Sequence, residues 1–84
     1  MIAYIARDDN PEGGYFSMFG TKPDMRDIKR KSIVEVRQVE LEDEFVKDVL
    51  EGNLPVDPDG HNDSTWFPLF KAAGPEATVW ERDV

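Results

Sequence analysis

The spacing of apolar residues changes abruptly in the middle of the chain. β-Branched residues cluster over residues 33–39, as is typical of a strand. Leu41, Phe45 and Val49 then recur at every fourth position, which predicts a helix over residues 40–51 with one apolar stripe. A strand followed directly by an amphipathic helix indicates a mixed α+β fold, because neither an all-α nor an all-β domain contains both patterns.

The predicted helix carries further helical features. Val46 and Leu50 widen its apolar stripe. Its first turn is acidic, which complements the positive end of the helix dipole, and Asp43 is placed to pair with Lys47 one turn later. Gly52 is a suitable C-terminal cap, so we expect the helix to end there.

Three other segments have the character of strands. Residues 2–7 are mainly apolar on both alternating faces, as in a strand buried on both sides. Residues 15–19 form a second strand, and the turn residues between the two favour an antiparallel hairpin. Residues 77–81 predict the last strand of the sheet.

Two remaining segments carry mixed signals. Residues 24–31 have room for one or two helical turns. The apolar cluster at residues 66–70 is interrupted by proline, so we expect an edge segment or a short irregular stretch. The sequence therefore predicts a single domain over residues 1–84, in which one main amphipathic helix packs on one face of a small antiparallel sheet of about four strands.

Composition excludes several classes of function. The chain has no cysteine, so disulfides, thiolate zinc sites and cysteine nucleophiles are excluded. No stretch approaches the ~20 apolar residues that a membrane-spanning helix needs. Residues 1–7 lack the pattern of a secretory signal, and we expect a cytoplasmic protein. The net charge of −8 repels free nucleic acid and anionic membranes, so neither is an expected direct partner.

The charge is distributed unevenly along the chain. Residues 22–37 contain six basic and three acidic side chains, a balance of +3. Residues 38–84 contain three basic and twelve acidic side chains, a balance of −9. We therefore expect one molecule to carry both a basic patch and a broad acidic region.

The loop at residues 57–63 has oxygen ligands at alternate positions, as calcium requires. However, Asn62 and Pro68 stand where an EF-hand needs glycine and a bidentate glutamate, so we interpret the loop as a turn rich in Asp, Gly and Pro. His61 is the single histidine, too few for a multi-histidine zinc site, and its loop neighbours cannot readily converge as a hydrolase triad. We expect no enzyme activity, no metal and no cofactor.

The acidic side chains of the predicted helix and the following loop are the main candidate binding surface. Spaced carboxylates imitate the charge of nucleic acid and would suit a basic groove on a partner, whereas the alternative is an ordinary solvated face. Trp66 is a second candidate, because an exposed tryptophan anchors interfaces, although a small core also needs its aromatic residues. The candidate residues are Glu40, Glu42, Asp43, Glu44, Asp48, Glu51, Asp57, Asp59, Asp63 and Trp66.

Short motifs near both ends carry a resemblance to a known group. Tyr4-Ile5-Ala6-Arg7-Asp8, the aromatic strand at residues 15–19 and Lys22-Pro23 open the chain, and Phe67-Pro68 and Trp80-Glu81 lie near its end. This pattern, mainly in the first quarter, resembles small orphan proteins encoded by bacteriophages and prophages. The group has no agreed activity, so the resemblance implies a context alone: a short accessory protein of a mobile element, made in a bacterial cytoplasm.

These observations favour a phage protein that binds and inhibits a host protein with a basic surface, such as a defence nuclease or another nucleic-acid-binding enzyme. One alternative is a structural or assembly protein of a phage particle acting as a homo-oligomer. Another is an antitoxin-like regulator that would bind DNA through residues 22–37. Glu12-Gly13-Gly14-Tyr15-Phe16 is similar to the hairpin of the HicB antitoxins, but the Leu-Pro-Gly-Cys run expected there is missing. A homodimer is compatible with each interpretation.

Overall fold

Four antiparallel strands form one sheet in the order β2-β1-β3-β4. The structure is a computed structural model and describes residues 1–9, 15–51 and 63–82. The strands are β1 (Ile2–Asp8), β2 (Phe16–Phe19), β3 (Ile33–Glu40) and β4 (Thr78–Glu81). The helices are α1 (Met25–Arg30), α2 (Asp43–Leu50) and α3 (Asp63–Ala73), and a 3-10 turn at Pro75–Ala77 precedes β4. The predicted α+β class and antiparallel sheet are confirmed.

Side chains alternate along β1 and create one hydrophobic cluster on each face of the sheet. Ile5 packs with Phe70 of α3 on one side, which we call the α3 face. Ala6 packs with Ile28 of α1 on the other side, the α1 face. A sheet that is apolar on both faces needs cover on both, so the prediction of one main helix on one face is wrong. Three short helices share that task.

Helix α2 packs on the α3 face and is shorter than predicted. It begins after Glu42, whose side chain makes no capping hydrogen bond, in keeping with the absence of Ser or Thr there. Val46 is 0% exposed, while Phe45 and Val49 are partly buried against the cluster. The ring of Phe45 meets that of Trp66 edge-on, with centroids 5.9 Å apart. Phe45, Val46 and Val49 of the predicted apolar stripe therefore face the core, whereas Leu41 precedes the helix.

Helix α3 contradicts the expectation of an edge or irregular segment at residues 66–70. Trp66 and Phe70 lie one helical turn apart, and both are buried in the α3-face cluster. Burying two large aromatic side chains outweighs the penalty of placing Pro68 inside a helix. Gly74, with a φ of 77°, then ends the helix in a conformation that other residues rarely adopt.

Replacing Pro68 with Ala is expected to raise the free energy of unfolding by about 1–3 kcal/mol. Alanine restores a helical N–H group and removes the clash with the carbonyl four residues earlier. Pro68 is exposed, so no core contact is lost. Urea unfolding measures the effect. The control is Pro75→Ala, at the start of the 3-10 turn where proline fits, and it should give no gain in the free energy of unfolding. A loss of stability in Pro68→Ala would contradict a helix at this position.

Helix α1 confirms the helical turns expected at residues 24–31. The side chain of Asp24 caps its start by accepting a hydrogen bond from the Asp27 backbone N–H, at 2.9 Å. Ile28 is buried against the sheet. Ser32 then turns the chain into β3 with a φ of 54°, so the helix is held between a cap and a sharp turn.

Candidate interaction surface

The acidic residues around α2 form an exposed surface directed away from the core. Because Val46 points into the core, Glu44 and Asp48 project from the opposite side of the helix, one turn apart. We call this the acidic surface, and all of its members are exposed: Glu40, Glu42, Asp43, Glu44, Asp48 and Glu51.

The amino group of Met1 balances part of this charge. It lies 3.0 Å from a carboxylate oxygen of Glu40 and 3.0 Å from one of Asp43. Hydrogen bonding to Asp43, and next to Glu40, raises the pKa of this amino group. The pairing of Asp43 with Lys47 that we predicted is not observed in the described residues, because Asp43 contacts Met1.

Three members of the acidic surface keep their charge available. Within residues 1–9, 15–51 and 63–82, no Lys or Arg lies at ion-pair distance from Glu42, Glu44 or Asp48. These carboxylates stand on a helix whose opposite side is fixed in the core. The surface can therefore present negative charge to a partner at a fixed spacing.

An apolar groove borders the acidic surface. Its floor is formed by the half-buried side chains of Leu41, Phe45 and Leu69, and Glu40 and Glu42 stand at its rim. The groove encloses about 330 Å³. It brings apolar side chains to the surface directly beside Glu40, which pairs with Met1, and Glu42, which has no cationic partner in the described part of the chain.

Five of the exposed basic residues lie on the opposite side of the sheet, whereas exposed Lys47 and Lys71 belong to α2 and α3. The five belong to α1 and its flanking residues, and α1 covers the α1 face. We call them the basic surface: Lys22, Arg26, Lys29, Arg30 and Lys31, all exposed. Arg30 pairs with Asp27 at 3.4 Å, whereas Lys22, Arg26 and Lys29 have no acidic partner among the residues whose structure is described. The basic residues predicted to form a patch are thus concentrated around α1, on the other side of the sheet from the acidic surface.

Arg37 was expected to belong to the basic patch. It is instead part of a buried network around Glu35. Glu35, 8% exposed, accepts hydrogen bonds from Arg37 Nε at 2.7 Å and from the Thr78 hydroxyl at 2.8 Å. Arg7 lies 3.6 Å from its other oxygen. Burial alone would raise the pKa of Glu35, but these hydrogen bonds and arginine charges outweigh it and hold the pKa below its usual value.

Arg37 also joins β3 to the end of α3. Its Nη1 donates a hydrogen bond to the Phe70 carbonyl at 2.8 Å, and its guanidinium lies 4.0 Å from the centre of the Phe70 ring. Phe70 belongs to the last turn of α3, where carbonyls lack partners within the helix. Arg37 is therefore a structural residue and is not available to bind DNA.

Trp66 is placed differently from the expectation of a surface anchor. It is 3% exposed and packs in the α3-face cluster, so it offers no exposed ring to a partner. The exposed aromatic residue is its neighbour Phe67, at 49%, whose ring centroid lies 5.5 Å from that of Phe16. We therefore remove Trp66 from the proposed binding surface.

Several sequence predictions fall outside the described residues. Asp57, Asp59 and His61 are not described, and of Asp63 the backbone alone is described, as the first residue of α3. Among the described residues, no three Asp, Glu or His side chains come together as a metal site would require. None of the helices in these residues is long and apolar enough to cross a membrane.

Comparisons of the chain with models of known protein families, with curated proteins and with solved structures found no match.

Proposed function

We propose that this protein is a small accessory protein of a phage or prophage that binds and inhibits a host protein through its acidic surface. The observation that carries the proposal is the set of exposed carboxylates at the start of α2 and along it, Glu42, Glu44 and Asp48, which have no cationic partner among the described residues. Glu44 and Asp48 lie roughly 6 Å apart along the helix axis, a spacing of the same order as that of charges along a nucleic acid backbone.

The chemistry of this surface defines the class of partner. A basic groove that binds nucleic acid would accept a rigid row of carboxylates, and long-range attraction would speed the encounter. A host nuclease of a defence system, or another nucleic-acid-binding enzyme of the bacterial cytoplasm, has such a groove. Occupation of that groove would block its normal substrate and so inhibit the enzyme without any chemistry by this chain.

Reversing the charge at two positions should strongly reduce capture of the partner. The double variant Glu44→Lys, Asp48→Lys is expected to recover at least about tenfold less partner from a lysate of the native host, measured by quantitative mass spectrometry. Two attractive contacts of roughly 0.5–1 kcal/mol each become repulsive, which accounts for that factor.

The matched control is Glu76→Lys, Glu81→Lys, which makes the same change in net charge at exposed positions outside the acidic surface. It should capture the partner as the unmodified protein does. Equal capture by both double variants would contradict binding through the acidic surface.

A second candidate, an assembly protein acting as a homo-oligomer, is favoured by the outer strands. Within the described sheet, β2 and β4 are the outer strands, and outer strands can serve as templates for another chain. Trp66, around which this candidate would place an exposed aromatic patch, is itself buried, and the exposed aromatic side chain there is Phe67. The third candidate, a DNA-binding regulator, loses Arg37 from its basic patch.

A further inference from the structure

We propose that copies of this chain associate head to tail, with the basic surface of one copy lying against the acidic surface and apolar groove of the next. This inference does not depend on the proposed function, because both contact surfaces lie on the chain itself. It rests on three observations: the groove, an exposed apolar side chain among the basic residues, and the placement of the two surfaces on opposite faces of the sheet.

The receiving side combines apolar area with negative charge. The groove formed by Leu41, Phe45 and Leu69 is open to solvent and is bordered by Glu42. Glu44, with no cationic partner among the described residues, follows on the first turn of α2. A ligand that fits this side must present an apolar side chain flanked by cations.

The chain itself carries such a group on the other face of the sheet. Met25, the first residue of α1, is 53% exposed. Arg26 is its neighbour and Lys29 lies one turn along the helix, and neither has an acidic partner in the described structure. Methionine is flexible and fills irregular apolar grooves well. The basic surface therefore offers one apolar anchor, preceded by the capping residue Asp24, and two cations without an acidic partner in the described residues to the groove and its carboxylates.

The placement of the two surfaces determines the kind of assembly. Because they lie on opposite faces of the sheet, two copies cannot satisfy both surfaces of each other in one symmetric dimer. A contact between unlike surfaces adds copies until it closes into a ring or grows as a filament. The same contact would cover the acidic surface, so a neighbouring copy and a basic partner protein would compete for it.

Few charges take part and all are exposed, so the association should be weak and sensitive to salt. Light scattering is measured over a range of protein concentrations in about 0.01 M and about 1 M NaCl, where the screening lengths are roughly 30 and 3 Å. At low salt the average mass should rise above the monomer mass of 9.6 kDa as concentration increases. At high salt it should return to that of the monomer.

Variants with reversed charge provide the decisive test of the head-to-tail contact. The acidic variant Glu44→Lys, Asp48→Lys and the basic variant Arg26→Glu, Lys29→Glu should each be monomeric alone at low salt, because like charges then face each other. An equimolar mixture should assemble again, since each surface finds an opposite one. Circular dichroism of each variant checks that the fold is retained, and Met25→Ser should weaken assembly without changing the charge.

Two results would overturn the proposal. One is a monomer at every concentration in low salt. The other is an assembly that persists in high salt and in both charge variants, which would indicate pairing through the outer edges of β2 or β4. Capture of a host protein is measured separately, and the basic variant leaves the acidic surface intact, so failure of either proposal can be recognised by itself.

Discussion

Replacing Val46 with Asp is expected to lower the free energy of unfolding by about 3–5 kcal/mol, enough to unfold most of the protein. Val46 is 0% exposed, and a carboxylate there would have neither water nor a cation. A domain of this size has a total stability of roughly 5 kcal/mol, so the loss is nearly complete. Far-UV circular dichroism during urea titration measures it.

The adjacent residue gives the control. Lys47 is exposed on the same helix, and Lys47→Ala should change the free energy of unfolding by no more than about 0.5 kcal/mol. A Val46→Asp variant with the urea midpoint of the unmodified protein would mean that α2 does not pack through this side. The orientation of the acidic surface would then be wrong as well, since it is deduced from the buried side.

Replacing Arg37 with Met is expected to destabilise the protein by about 2–4 kcal/mol. The variant loses the 2.7 Å ion pair with Glu35 and the 2.8 Å hydrogen bond to the Phe70 carbonyl. Glu35 is left as a largely buried carboxylate with weaker partners, and the end of α3 loses a donor. Thermal or urea unfolding measures the change.

Two comparison variants isolate the buried network. The same substitution at Arg82, which pairs with Asp9 at the surface, should cost less than about 1 kcal/mol. Adding Glu35→Gln to Arg37→Met should recover part of the loss, because the unpaired charge is then gone. An equal effect of the Arg37 and Arg82 substitutions would contradict a stabilising role for the network.

The strands and α2 could be predicted from the sequence because their signals are local. The β-branched run of β3 and the fourfold spacing of Phe45 and Val49 are patterns within short segments, typical of a strand and of an amphipathic helix. Helix α3 could not be predicted in this way, since Pro68 is a strong local signal against a helix. The spacing of Trp66 and Phe70 was the opposing signal, and it prevails because both side chains find the core.

The acidic surface could be predicted in part, again because the signal is local. The apolar stripe of an amphipathic helix determines which residues lie on its outer side. The exposure of Glu44 and Asp48 could therefore be predicted. The contact of Met1 with Asp43 depends on the antiparallel pairing of β1 with β3, which brings distant residues together. A local pattern contains no such information.

The buried network of Glu35 and Arg37 was not predicted, for a different reason. Counting charges along residues 22–37 treats every side chain as exposed, although side chains in a strand alternate between two faces. Glu35 and Arg37 are two residues apart and therefore share a face, in register with Arg7 and Ile5. That spacing was the available signal for an internal ion pair. The ion pair is stabilising because α3 covers this face and buries Glu35, which the spacing alone does not predict.

Competition between a short double-stranded DNA and this protein for the captured host partner tests the central claim most directly. If the acidic surface takes the place of nucleic acid, the two ligands bind one site, and the apparent Kd for this protein should rise in proportion to the DNA concentration. A ternary complex of partner, DNA and this protein, with the Kd unchanged, would contradict it.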